Sequence, residues 1–240
     1  MWLPLPCAAT IGHSLAMSQI LVNSNCGVTL AGAGDIRRET LEAALSLAPR
    51  LVAADGGADH LLAMGHEPEC VIGDLDSLSP AAWARLGPGR LHRITEQDTT
   101  DFDKALRSIA APFVLAVGFT GNRLDHTLGM FNVLVRHGAR RCVALGVHDL
   151  CFVAPRELAL RLAPGTRLSL FPMGEVHGHS QGLRWPLDGV RFAPGGMVGI
   201  SNMVDDSGAV QLSLSAEAML VLLPAAALED ALAALRAASG

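Results

Sequence analysis

The sequence predicts an α/β N-terminal domain with a mainly parallel sheet, followed by a C-terminal all-β sandwich and a short helical tail. Three observations carry this prediction. From Gly27 to about Leu150, short apolar runs alternate with helix-length amphipathic stretches, the pattern of parallel strands joined by covering helices. Beyond Leu150 the segments turn short and β-like, with Pro and Gly turns between them. At the end, an Ala-rich stretch over 225–238 places Leu228, Leu232 and Leu235 at i, i+4 and i+7 on one helix face. The expected divisions are a loosely ordered leader (1–26, with Met17 an alternative start), an α/β domain (27–150), a sandwich (151–224) and the tail (225–240).

In chain order, candidate strands occupy 28–33, 51–54, 70–72, 91–94, 113–117 and 142–145, each a short apolar run. Helical patterns lie between them at 37–48, 58–64, 80–86, 101–110 and 124–137. Ser79 before Pro80 reads as an N-cap followed by proline at the first helical position, and Gly138 stops the helix ending at His137. The β-like segments of the second half fall at 158–162, 167–171, 182–185, 199–203, 209–214 and 219–223.

Composition bounds the function. The 240 residues are 50% hydrophobic and 17% charged, enough to bury a core and too apolar for disorder. A net charge of −5, the absence of a basic run, and only seven Phe and three Trp with no Tyr argue against a nucleic-acid surface. Cysteines 7, 26, 70, 142 and 151 form no Cys-x-x-Cys pair, so they read as reduced thiols of a cytoplasmic protein. The first 25 residues lack a basic n-region and Pro4 and Pro6 interrupt them, which argues against a secretory signal. No run reaches the length of about 18 apolar residues that a membrane span requires.

The chemistry concentrates in residues 55–125, which hold 11 of the 23 carboxylates. Asp55, Asp74 and Asp125 each follow a candidate strand or open a helix, where open α/β sheets place their ligand crevice. In Gly73-Asp74-Leu75-Asp76-Ser77, two carboxylates two residues apart project to one side of an extended or turning backbone. Such hard oxygens suit Mg²⁺, which is held by one or two carboxylates plus substrate phosphates. The alternative is a turn in which Asp74 caps backbone N–H groups and Asp76 is merely exposed.

Gln97-Asp98-Thr99-Thr100-Asp101-Phe102-Asp103-Lys104 opens a helix, with Asp98, Thr99 or Thr100 as its N-cap. Asp101 and Lys104, three apart, share a face, either as an ordinary ion pair or as part of a phosphate site. Lys104 is the sole lysine among 18 Lys and Arg, which points to a use for a compact ammonium. Gly118-Phe119-Thr120-Gly121-Asn122-Arg123-Leu124-Asp125-His126 leaves a strand through a glycine-bearing loop and enters a helix, exposing N–H groups and the Arg123 fork to an anion. Asp55-Gly56-Gly57-Ala58 repeats that design. Gly32-Ala33-Gly34-Asp35 supplies half of a dinucleotide fingerprint and does not complete it. Together these loops describe one crevice for a metal-bound polyphosphate.

Several residues read as structural. His126 is expected to serve hydrogen bonding at the helix start, His177 and His179 to be exposed, Trp185 to lie in the sandwich core, and Asp188, Asp205 and Asp206 to sit in turns. Ser77 has no histidine in reach by sequence, which argues against a nucleophile.

In this order the motifs from Asp55-Gly56-Gly57-Ala58 to Gly121-Asn122-Arg123-Leu124-Asp125-His126, with Gly182-Leu183-Arg184-Trp185-Pro186-Leu187 and Ser201-Asn202, resemble those of the thiamine pyrophosphokinases. The resemblance spans Gly27 to Leu223. It implies a homodimer in which thiamine lies between the sandwich of one chain and the α/β domain of the other. It also implies transfer of a diphosphoryl group from ATP to thiamine with Mg²⁺. Asp74, Asp76 and Asp101 would surround the metal, with Asp98 and Asp125 as further catalytic residues. Asp55, Gly56, Ser77, Lys104 and Arg123 would meet ATP, and Gln97, Asp101, Ser201 and Asn202 would meet thiamine. Animal members place a tryptophan on the last sandwich strand against thiamine, whereas Met219-Leu220-Val221-Leu222 is aliphatic, and the tail extends beyond the family pattern. A diphosphokinase for another hydroxymethyl heterocycle of the pterin type, and a non-catalytic nucleotide or thiamine sensor, are the rival readings.

Overall fold

The computed structural model describes residues 19–121 and 123–238. Positions 1–18 of the expected leader, Met17 among them, lie outside the described residues, as does Asn122. Where the sequence predicted loose order at 19–26, Val22–Asn23 (β1) instead forms a short strand, with Val22 buried.

The α/β half continues as β2 (Val28–Ala31), α1 (Arg38–Leu47), β3 (Arg50–Ala54), α2 (Gly57–Ala63), β4 (Cys70–Gly73), α3 (Pro80–Leu86), β5 (Leu91–Arg93), α4 (Asp101–Arg107), β6 (Ile109–Ala110), β7 (Val114–Val117), α5 (Leu124–Arg136) and β8 (Cys142–Leu145). β2, β7 and β8 pair in parallel, as do β3, β4 and β5, and β3 lies alongside β2. The helix expected over 101–110 ends at Arg107, because the wholly buried Ile109 and its neighbour pair with β1 as a second small sheet. Ser79 caps α3 as expected, its hydroxyl accepting the Ala82 N–H at 3.1 Å.

The remaining elements are β9 (Asp149–Val153), β10 (Glu157–Arg161), β11 (Arg167–Pro172), β12 (Val176–Gln181), β13 (Arg191–Phe192), β14 (Gly199–Met203), β15 (Ala209–Leu214), β16 (Met219–Pro224) and α6 (Leu228–Ala237). They form a sandwich. One sheet runs β14-β11-β16-β9 and joins β8 through the antiparallel β8–β9 pair; the other runs β10-β15-β12-β13. A chain division at 150 therefore falls inside β9, and the sheet passes across it unbroken. β9 is buried on both faces, Leu150 and Phe152 in one cluster and Cys151 and Val153 in the other, so it carries no alternation for a sequence reading to detect. Strands β10 and β15, by contrast, alternate buried and exposed along their length. Residues 182–185 are not a strand; only Leu183 bridges, to Val204. The tail helix buries Leu228, Leu232 and Leu235 as its spacing predicts.

Candidate active site

Four loops at the C-terminal ends of β2, β3, β4 and β7 meet around a cavity of about 550 Å³ lined by Gly32, Gly34, Asp55, Gly56, Ser77, Thr100, Asp101, Gly118, Phe119, Arg123 and His126, among others. Glycine is required where these loops close on one another. Gly118 has φ +73°, and a Cβ there would lie 2.8 Å from the Gly32 carbonyl oxygen. At Gly73 a Cβ would approach Asp55 Cβ to 2.9 Å and Asp101 Oδ1 to 3.2 Å, so its absence makes room for two carboxylates.

Asp55, Asp74 and Asp101 each contribute an oxygen to a group whose members lie within 4.8 Å of one another. Asp55 is 5% exposed and its Oδ1 has no hydrogen-bond partner. Burial first, then the Asp101 and Asp74 charges, raise its pKa to about 6 against the polar groups of Ser77. Its backbone is left-handed (φ +42°), an uncommon conformation for a non-glycine residue. At Asp74 burial pushes the pKa up, but the Asp76 N–H donated to it and the Lys104 charge outweigh this and hold the carboxyl below its ordinary value. Behind the group the Lys104 ammonium, 2% exposed, lies 3.0 Å from Asp101 Oδ1 and 3.5 Å from Asp74 Oδ2. Three carboxylates against one ammonium, with a buried orphan oxygen among them, fit a small hard dication such as Mg²⁺.

The structure departs from several expectations for individual residues. Asp76 stays beside Asp74, its N–H donating to Asp74 Oδ1 at 3.2 Å across a turn in which Leu75 has φ +65°, but it is exposed, accepts the Ser77 hydroxyl at 3.0 Å and stands outside the three-carboxylate group. Lys104 is buried behind the carboxylates and does not line the cavity, where a phosphate contact was expected. Asp125 stands apart from the clustered carboxylates, in an exposed ion pair with Arg123 at 2.6 Å that lowers its pKa to about 2. Of the three candidate N-caps of α4, Thr100 fills the role, its hydroxyl accepting the Asp103 N–H. Gln97 and Asp98 are exposed on the preceding loop, and His126 is exposed at the cavity wall.

On the sandwich, Ser201 is exposed with φ +62° and Asn202 is buried. The Asn202 side chain is committed to the chain itself, accepting the Trp185 and Met203 N–H groups and donating to the Trp185 carbonyl at 2.8 Å. This clamp projects Trp185 outward. At 53% exposure it is not a core residue, and Arg184 stacks over its ring at 5.1 Å. No sandwich residue lines the crevice of its own chain. His179 pairs with Asp188 on the surface and Asp205 holds a turn through the Ser207 N–H, in keeping with structural roles.

Asp103 carried no signal in the sequence beyond its charge. It is 1% exposed and bound to Arg136 and His137. Burial raises its pKa, but the His137 bond and charge and the Arg136 charge prevail, holding it below the ordinary range.

The raised Asp55 pKa makes a stability prediction. The cation-free folded chain holds this proton more tightly than the unfolded chain, so the contribution is complete below about pH 4 and is lost as pH rises through about 6. At pH 7.5 the buried charge costs roughly 2–3 kcal/mol. Asp55→Asn, neutral and at home in a left-handed conformation, is expected to raise the Tm of the chelator-treated protein by several degrees at pH 7.5 and to abolish the Tm increase caused by Mg²⁺. Thermal unfolding with EDTA and with Mg²⁺ checks both; a lower Tm in EDTA at pH 7.5 would refute the charge account.

Family models match both halves of the chain: "Thiamin pyrophosphokinase, catalytic domain" over residues 41–145 and "Thiamin pyrophosphokinase, vitamin B1 binding domain" over 156–219. Thiamine pyrophosphokinase 1 of Oryza sativa subsp. japonica is 30% identical over 189 residues, covering 65% of this chain and 72% of that one. Thiamine pyrophosphokinase 3 of the same plant is 29% identical over 204 residues, covering 68% and 76%. In fold, the chain is similar to the thiamin pyrophosphokinase of Candida albicans, with TM-score 0.71, 14% identity and 85% and 93% of the two chains covered. It is also similar to the yeast enzyme, with TM-score 0.68, 19% identity and 92% and 96% covered. With both halves matched in order and the loops assembled into one crevice, the chain belongs to the thiamin pyrophosphokinase family.

Proposed function

We propose that the protein is a thiamine diphosphokinase that moves the β,γ-diphosphoryl group of ATP onto the hydroxyl of thiamine, giving thiamine diphosphate and AMP. The observation that carries this reading is the Asp55-Asp74-Asp101 group with Lys104 behind it, opening into a glycine-walled crevice. A non-catalytic sensor has no need of such a metal-ready carboxylate set.

Mg²⁺ held by Asp55, Asp74 and Asp101, with Asp76 at the rim, would offset the phosphate charge that grows as AMP departs. The residues of the chain align the rest. Gly56 and the loop after β7 approach the polyphosphate through backbone N–H groups, Ser77 offers a hydroxyl, and Arg123 exchanges Asp125 for phosphate oxygens. Lys104 acts from behind, drawing Asp74 and Asp101 together. The thiamine oxygen forms a bond to the β-phosphorus as the bridging bond to the α-phosphate breaks, and the hydroxyl proton passes to Asp98 or Asp101.

The thiamine side is contributed by a partner chain. Leu124 and Leu128 on α5 are exposed, as are Trp185, Met197 and Ile200 on the sandwich, and these apolar surfaces would be covered in a homodimer. Gln97 and Asp101 of one chain would then face Ser201 and the Asn202-clamped Trp185 loop of the other, with the indole against the cationic thiazolium. The four described cysteines are free, in keeping with a cytoplasmic setting. Among the described residues no helix is long and apolar enough to cross a membrane.

Incubation with ATP, Mg²⁺ and thiamine tests the reading. AMP is expected to form in step with thiamine diphosphate, and a hydroxymethylpterin in place of thiamine is expected to give none. AMP formation from the pterin alone would transfer the assignment to the rival substrate.

A further inference from the structure

We propose that Asp103 and residues 136–140 form a brace that fixes the rotation of α4 and so holds Asp101 in the carboxylate group, an inference that rests on the diphosphokinase reading. α4 has only seven residues, too few to hold a helix or its orientation without contacts. Its front bears a load: Asp101 lies within 4.8 Å of the like charges Asp55 and Asp74, and the single Lys104 ammonium, shared between Asp101 and Asp74, offsets that repulsion only in part.

The back of the helix carries the counterforce. Asp101 and Asp103 lie about 200° apart around the axis, so fixing one fixes the other. Asp103 Oδ2 accepts Arg136 Nη1 at 2.6 Å, and Oδ1 lies 2.9 Å from His137 Nε2. At the far end of α4, Arg140 donates to the carbonyls of Arg107 at 3.1 Å and Ile109 at 2.6 Å. Three side chains at and just beyond the end of α5, Arg136, His137 and Arg140, thus hold the first turn of α4 and the chain at its far end. The Phe102–Phe119 ring contact, with centroids 4.4 Å apart, adds apolar packing that does little to set rotation. Asp103 does not line the cavity, so it is a positioning residue and touches no substrate.

Asp103→Asn keeps the shape and loses the charge that grips two partners. Full-length wild type and variant are compared by calorimetric titration with Mn²⁺, by thermal unfolding, and by kcat and thiamine KM for AMP release per folded molecule. The expected result is Mn²⁺ affinity at least fivefold weaker and kcat at least tenfold lower, with thiamine KM within twofold. Arg136→Gln, at the half-exposed end of the brace, should shift both in the same direction by less, and decides the matter alone if Asp103→Asn does not fold. A lower Tm with unchanged Mn²⁺ affinity and unchanged kcat would overturn the proposal and leave Asp103 a stabilising residue only. If the wild type binds Mn²⁺ but yields no AMP from thiamine, the assigned activity fails while the Mn²⁺ comparison still judges the brace.

Discussion

Asp101→Asn is expected to lower kcat for AMP release by about 10²–10³-fold with the fold retained, a loss of the size seen when one preorganised electrostatic contact to a developing charge is removed. Among the described residues no other side chain in the crevice combines its contacts: it supplies an oxygen to the three-carboxylate group, binds Lys104 at 3.0 Å and lines the cavity. The substitution preserves volume, leaves the Thr100 cap of α4 in place and leaves Lys104 with Asp74, so circular dichroism and Tm should change little. Mn²⁺ affinity should fall together with kcat, because one anionic ligand serves both. Asp125→Asn provides the contrast. Its carboxylate is paired with Arg123 at 65% exposure, apart from the clustered oxygens, and exposed pairs contribute little, so less than a fivefold change is expected. A loss below tenfold for Asp101→Asn would remove this residue from the metal site.

The second large effect is a recovery. Trp185→Ala removes an exposed ring whose backbone Asn202 holds in place, and loss of aromatic and cation–π contact of about 3 kcal/mol would raise thiamine KM by roughly 100-fold. Asn202→Ala is a poorer probe, since it leaves the Trp185 and Met203 backbone groups without their partner. At thiamine concentrations near the wild-type KM, Asp101→Asn and Trp185→Ala homodimers should each be nearly inactive. Mixed by unfolding and refolding together, they form heterodimers in about half of all dimers, each with one doubly defective and one intact site. Activity should return towards roughly a quarter of wild type. No recovery in dimers verified as mixed would place the whole site within one chain.

Legibility in the sequence followed whether a signal was local. The strands over 142–145 and 209–214 and the helix over 80–86 are punctuated apolar runs or alternations, and the structure has them with the same bounds. β12 escaped because Val-His-Gly-His-Ser-Gln holds one buried apolar residue, and its glycine serves a contact across strands: a Cβ at Gly178 would lie 2.0 Å from the Ser213 carbonyl oxygen. β9 escaped for the opposite reason, being apolar on both faces. In the crevice, the loops that carry carboxylates were visible as strand ends, but the sign of φ at Asp55 and Leu75 was not. Those two angles shape the loops that carry Asp55 and that hand the Asp76 N–H to Asp74. The lone lysine marked Lys104 as unusual, yet its burial depends on β4 and α4 meeting. Asp103 was invisible because its partners are 33 and 34 residues away.

The most direct measurement of the central claim uses ATP labelled separately at the β- and γ-phosphorus, with thiamine and Mg²⁺, and follows each label into the product ester. Both labels are expected to appear in thiamine diphosphate in equal amounts, with unlabelled AMP released. The γ label alone in thiamine monophosphate, with ADP released, would contradict diphosphoryl transfer.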